Sequence, residues 1–189
     1  MRSEQGISPI ENQVKLPAGR IAIVAAEWNA EIVDQLIAGA TASISACQDS
    51  SDDICLELIR VPGSYEIPLA AKFLCESASC SSSPLLGVVA LGCLIRGETE
   101  HFQLISTEVS RALSELSLAS MIPIGLGVIC AYSLADAEER AGGEKGNYGE
   151  EAADAVIRMI ELRAELFKEQ SAFSKSPREE TLGKICAQA

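Results

Sequence analysis

Histidine and tryptophan are nearly missing from this sequence: among 189 residues each occurs once, as His101 and Trp28. Aromatic residues amount to only 4%, so a core must come chiefly from the alanine, valine, isoleucine and leucine that dominate the 48% hydrophobic share. Basic residues are scarce as well, 15 Lys and Arg against 27 Asp and Glu, for a formal charge of −12. That balance excludes the broad basic face on which nucleic-acid binding depends. It leaves room for a local anion site built from main-chain N–H groups and one or two arginines. No segment reaches the roughly 18 consecutive apolar residues of a membrane span, and the first residues lack the apolar stretch of a secretion signal. The expectation is a soluble, cytoplasmic protein with neither a membrane nor a nucleic acid as partner.

Paired cysteine motifs are absent too. The seven cysteines (47, 55, 75, 80, 93, 130 and 186) are odd in number and scattered, with no C-x-x-C spacing. A disulfide framework or a zinc site is not expected, and reduced thiols are. Cys93 and Cys130 fall near expected strand ends, as small core or site-lining residues. Neither of the common glycine-rich phosphate signatures, G-x-x-x-x-G-K-[ST] and G-x-G-x-x-G, occurs.

What is present centres on one stretch. Residues 85–95 form an unbroken apolar run rich in Val, Leu and Ile, which reads as a buried parallel strand. The chain turns through Gly97 and continues with Phe102, Ile105, Val109, Leu113 and Leu116 at helical spacing. A buried strand that turns tightly into a helix is where open parallel sheets bind ligands, because the first helical N–H groups are unpaired and attract anions. His101 lies in that first helical turn.

The rest of the chain repeats the pattern. Residues 1–18 are polar, contain Pro9 and Pro17, and read as an extended arm. Strands are expected at 20–26, 54–61, 85–95 and 123–130, and helices from about 30 to 47, from about 67 through 74, from 101 to near 120, from 133 to 140, and last through Ala152, Val156, Ile157 and Ile160. Asn29 is the expected N-cap of the first helix, and Ser133 that of the short fourth one. Residues 50–53 and 77–84 read as loops, 141–147 as a glycine-rich break. Strands alternating with helices imply a single α/β domain over residues 19–168, an αβα sandwich around a four-stranded parallel sheet, followed by a mobile polar tail at 169–189. The turns after all four strands then gather along one edge.

Taken singly, the residues of those turns have plain readings. His101 is equally an exposed helix-start residue, and Glu98 complements a helix dipole. Trp28 reads first as core, with stacking on a flat ligand as the alternative. Arg140 suits a helix C-terminus, and Gly97, Gly142 and Gly143 suit tight turns.

Together they closely resemble the lumazine synthase family from about residue 20 to 162. The resemblance rests on Arg60-Val61-Pro62-Gly63-Ser64-Tyr65-Glu66-Ile67-Pro68, on the run from Ala90 through Gly92, Arg96 and Gly97 to His101-Phe102, and on Glu139-Arg140-Ala141-Gly142 followed by Gly146-Asn147. It implies a flavodoxin-like sheet and a condensation of 5-amino-6-ribitylamino-uracil with 3,4-dihydroxy-2-butanone 4-phosphate, without metal or organic cofactor. By resemblance, Trp28 stacks on the pyrimidine beside Asn29, and Ser64, Tyr65 and Glu66 hold its ribityl chain and ring. Cys93, Leu94 and Ile95 bind the uracil through their main chain. Gly97, Glu98 and Thr99 form the phosphate turn, His101 transfers protons, and Arg140 reaches the phosphate from a neighbouring subunit.

Two positions depart from the family pattern: Tyr148 stands where lysine is usual, and Leu126 where an aromatic from the adjacent subunit covers the heterocycle. The resemblance also implies a homo-oligomer, with pentamers as the unit and a hollow shell of twelve pentamers as the larger assembly, and riboflavin synthase as a candidate partner. The same fold leaves two other readings: an archaeal-type riboflavin synthase, against which the residues around His101 argue, and a non-catalytic shell protein, which Leu126 and Tyr148 leave open.

Overall fold

A computed structural model describes residues 16–47, 54–77 and 83–174. The N-terminal arm up to residue 15, the loop at 50–53, most of the connection at 77–84 and the tail beyond 174 lie outside the described residues. Four strands, β1 (Gly19–Ala26), β2 (Ile54–Val61), β3 (Leu85–Ile95) and β4 (Ile124–Ala131), form one parallel sheet in the order β2-β1-β3-β4. Their register runs without offset between β1 and β2, from Gly19 opposite Ile54 to Ala26 opposite Val61. The central position of β3 explains its sequence: buried on both faces, residues 85–93 admit no polar side chain.

Alternate residues of β1 face opposite layers, as a strand period of two requires. Ile21, Ile23 and Ala25 pack with α1 (Ala30–Ala46) and α5 (Tyr148–Ser174). Ala22, Val24 and Ala26 pack on the other face with α2 (Ile67–Ser77) and α3 (His101–Ser120). This is the three-layer αβα sandwich that the strand–helix alternation predicts. No helix among the described residues is long and apolar enough to cross a membrane.

Two local expectations need correction. The segment 141–147 is not a mere break: β5 (Ala141–Gly143) and β6 (Gly146–Asn147) pair antiparallel, turning at Gly146 with φ +81°, a value that favours glycine. Strands of three and two residues carry no periodicity to read. The last helix also starts earlier than its apolar stripe, at Tyr148. Asn147 launches it, accepting from the Gly149 N–H at 2.8 Å while its side-chain amide donates to the Gln35 carbonyl of α1 at 2.9 Å. α5 continues to Ser174, into the stretch expected to be tail. The short helix α4 (Leu134–Glu138) is capped by Ser133 as expected, its Oγ accepting from the Asp136 N–H at 3.1 Å.

Candidate active site

The C-terminal ends of β1 and β3, with the turn after β2, surround an open cleft of about 910 Å³. Its first wall is Trp28 and Asn29 after β1. Trp28 is 73% exposed, so its plain reading as a core residue is corrected: it sits past the strand end, where no layer covers it. Asn29 occupies the N-cap position of α1, yet its side chain caps nothing. Its backbone is left-handed, φ 59° and ψ 46°, a conformation asparagine tolerates better than most residues. The carbonyl of Asn29 accepts from the Ile32 and Val33 N–H groups, while its side-chain amide turns across the sheet and donates to the Cys93 carbonyl at 2.9 Å.

The second wall is the single 3₁₀ turn Ser64–Glu66. Ser64 is 4% exposed and its hydroxyl has no hydrogen-bond partner among the described residues. The close approach is made possible by Gly92 on β3, where a Cβ would come within 2.6 Å of the Ser64 Oγ. The turn is thus pressed onto the central strand, and Tyr65, 63% exposed, and Glu66 emerge into the cleft.

Cys93, Leu94 and Ile95 form the floor. The Cys93 thiol is buried and its pKa is pushed up to about 11, chiefly by burial and then by proximity to Cys130. It stays protonated at neutral pH, so what this residue offers the cleft is its main chain rather than a thiolate nucleophile.

The third wall is the turn into α3 and the first two turns of that helix. Gly97, Thr99 and His101 line it. Glu100 holds the N-cap position and makes no side-chain cap bond, which leaves the first N–H groups of α3 to water or an anion. Sequence reasoning did not assign Gly63, Phe102, Leu104, Ile105 and Glu108 to the site, yet they line the cleft. The signal for the last three was present: positions 104, 105 and 108 follow His101 at i+3, i+4 and i+7, on one helix face.

Three expected site residues lie elsewhere in this chain. Glu98 is exposed on the turn but is not part of the cleft wall. Leu126, 50% exposed, lies on edge strand β4 and lines a separate groove of about 330 Å³ between β4 and α3. Arg140 follows α4, where its guanidinium donates to the Asp136 carbonyl at 2.6 Å and lies 3.9 Å from the Asp136 carboxylate. Tyr148, the other departure, packs against the α1/α5 core.

The chemistry within reach is therefore specific. Two exposed aromatic faces and a strip of strand-end main chain can hold a flat heterocycle. An uncapped helix start can hold an anion, and a single histidine can move protons near neutrality.

Comparison with known proteins points the same way. The family model for 6,7-dimethyl-8-ribityllumazine synthase matches residues 18–164. Proteins named 6,7-dimethyl-8-ribityllumazine synthase from Xanthomonas oryzae pv. oryzae (strain PXO99A) and Nitratidesulfovibrio vulgaris (strain DP4) are each 38% identical to the chain. The first match covers 80% of this chain and 94% of that protein, the second 85% and 98%. A protein of the same name from Azorhizobium caulinodans is 40% identical over 76% of this chain and 86% of its own length.

Proposed function

The chain belongs to the 6,7-dimethyl-8-ribityllumazine synthase family, and from that premise we propose how its cleft performs the family's reaction. The protein condenses 5-amino-6-ribitylamino-uracil with 3,4-dihydroxy-2-butanone 4-phosphate, giving 6,7-dimethyl-8-ribityllumazine, inorganic phosphate and water, in riboflavin biosynthesis. The observation that carries this reading is the meeting of Trp28, Tyr65, the β3 main chain and the His101 helix start around one cleft.

The pyrimidine lies against Trp28 with its polar edge on the main chain of Cys93, Leu94 and Ile95. The turn Ser64-Tyr65-Glu66 takes the ribityl hydroxyls, which a carboxylate and a phenol suit as acceptor and donor. The phosphate of the second substrate sits on the Gly97-Glu98-Thr99 turn at the start of α3. The pyrimidine amine attacks the ketone, and water leaves as the imine forms. Phosphate then departs, the second ring closes, and a further water is lost. Each step moves a proton at nitrogen, carbon or oxygen, and His101 is the group placed to give and take it. Aimed N–H donors stabilise the leaving phosphate as its charge develops. Holding amine and carbonyl together supplies a large share of the acceleration.

Arg140 does not line the cleft of its own chain, and Leu126 faces a different groove. Both fit a site shared between neighbours in a cytoplasmic homo-oligomer, in which one copy brings His101 and the next brings Arg140 and Leu126. The exposed Leu104 and Leu118 of α3, together with Leu126 on β4, supply apolar surface for such an assembly. The pentamer is the unit of that reading, a shell of pentamers its larger form, and riboflavin synthase the enzyme that would take the product onward. Mixing the purified protein with both substrates tests the reaction: lumazine fluorescence must appear together with an equal amount of inorganic phosphate. Phosphate release without the fluorescent product would overturn it.

A further inference from the structure

The turn from β3 into α3 is a thin wall with a cavity on either side. Thr99 and Phe102 line the large cleft and also a polar crevice of about 100 Å³ behind it, closed by Arg96, Glu100, Gln103 and Tyr132. The turn has little packing of its own. Among the described residues nothing lies within 4 Å of where a side chain would begin at Gly97, and no main-chain hydrogen bond outside helices and strands involves Gly97, Glu98 or Thr99.

Its tether on the strand side is Arg96. The Arg96 N–H donates to the Ala131 carbonyl at 2.9 Å, extending the β3–β4 pairing by one bond beyond Ile95 and Ala131. Its guanidinium carbon lies 5.5 Å from the centre of the Tyr132 ring, within the range of a cation–π contact. Tyr132 is 72% exposed and follows directly on Ala131. Main chain and side chain of Arg96 are therefore both fastened to the end of β4, and the unsupported turn begins one residue later.

We propose that Tyr132 is a positioning residue: by holding the Arg96 guanidinium it fixes the turn Gly97–Thr99 and so sets the affinity for the phosphate-bearing substrate. The substrate half of this rests on the function proposed above; the positioning half does not. A contact of this kind at an exposed site is worth about a two- to fivefold change in an equilibrium. The aromatic ring is what matters, since a guanidinium is drawn to its face and not to the hydroxyl.

Two variants of the full chain, Tyr132→Leu and Tyr132→Phe, separate ring from size. Main-chain hydrogen exchange of the bonded amides at the two ends of the turn, Arg96 on the Ala131 carbonyl and Gln103 and Leu104 on the Glu100 carbonyl, read by mass spectrometry, reports on the turn whether or not the protein turns over. In Tyr132→Leu those amides exchange about two- to fivefold faster, and the KM for the phosphorylated substrate rises by a similar factor. The pyrimidine KM and the melting temperature stay at wild-type values. Tyr132→Phe restores both the exchange and the KM. Wild-type exchange in Tyr132→Leu, or equal loosening in both variants, would overturn the positioning role. Faster exchange with an unchanged phosphate-substrate KM would overturn its link to substrate. If the unaltered protein made no lumazine, the proposed function would fall while the exchange measurement still decided the positioning.

Discussion

The side-chain amide of Asn29, at the end of β1, donates a 2.9 Å hydrogen bond to the main-chain carbonyl of Cys93 on β3. This bond joins the first cleft wall to the floor, and it requires Asn29 to leave helix α1 uncapped in a left-handed conformation. Two substitutions separate bond from backbone. Asn29→Gly loses only the hydrogen bond, at about 1 kcal/mol, because glycine accepts positive φ without strain. Asn29→Ala loses the bond and adds the left-handed penalty, about 1–2 kcal/mol more. Urea denaturation checks the order: glycine is expected to be the more stable of the two, and the reverse order would mean that residue 29 is not held in the left-handed conformation.

His101 is the only histidine and opens α3 inside the cleft. His101→Ala is expected to slow turnover by about a hundredfold or less, the low end of what a general acid–base group contributes, while the assembly state stays the same. Steady-state fluorescence and light scattering measure the two effects. An unchanged turnover number would remove histidine from the mechanism.

Arg140 lies outside the cleft of its own chain, held by Asp136. If neighbouring copies share each site, His101→Ala and Arg140→Ala chains produced together complement one another. Random mixing in a ring restores roughly one site in four, whereas either variant alone is impaired. Mixed assemblies no more active than the better parent would place both residues in one chain's site. Alone, Arg140→Ala is expected to raise the KM for the phosphorylated substrate far more than that for the pyrimidine, since alanine cannot replace the guanidinium fork.

Burial raises the Cys93 pKa from 9.0 to about 11. The folded protein therefore keeps this proton at pH values where the unfolded chain has lost it. The contribution of Cys93 to stability is constant below about pH 9 and falls as the pH climbs from there towards 11. Cys93→Ala is expected to flatten that part of the curve in denaturation series. An equally steep alkaline loss in the variant would assign it to another group.

The sheet was legible because its signals are periodic and long. β2 and β3 match the residue ranges read from the sequence, and α3 runs from His101 to Ser120 as its spacing implies. The hairpin of β5 and β6 was not, since two- and three-residue strands are held by turn geometry at Gly146 and by Asn147 rather than by a pattern. At the site, chain order and strand ends placed Trp28, Ser64, Tyr65, Glu66, Cys93 and His101 around one cleft. The orientation of the Asn29 side chain was invisible: asparagine before a helix suggests a cap whose side-chain oxygen accepts, and only the position of β3 offers its amide N–H a carbonyl to donate to. Likewise, a buried Ser64 hydroxyl without a partner follows from the nearness of Gly92, which no local pattern encodes.

The central claim is that the pyrimidine binds in the cleft between the ends of β1 and β3 and the turn after β2, and the molecule carries its own probe for it. Trp28 is the only tryptophan, lines that cleft and is 73% exposed, so its emission reports on the site without background from elsewhere. Titration with a ribitylaminouracil that lacks the 5-amino group, and so cannot react, is expected to change Trp28 emission saturably. The midpoint should match the inhibition constant of the same compound in the turnover assay. A compound that inhibits turnover competitively against the pyrimidine while leaving Trp28 emission unchanged would contradict the account.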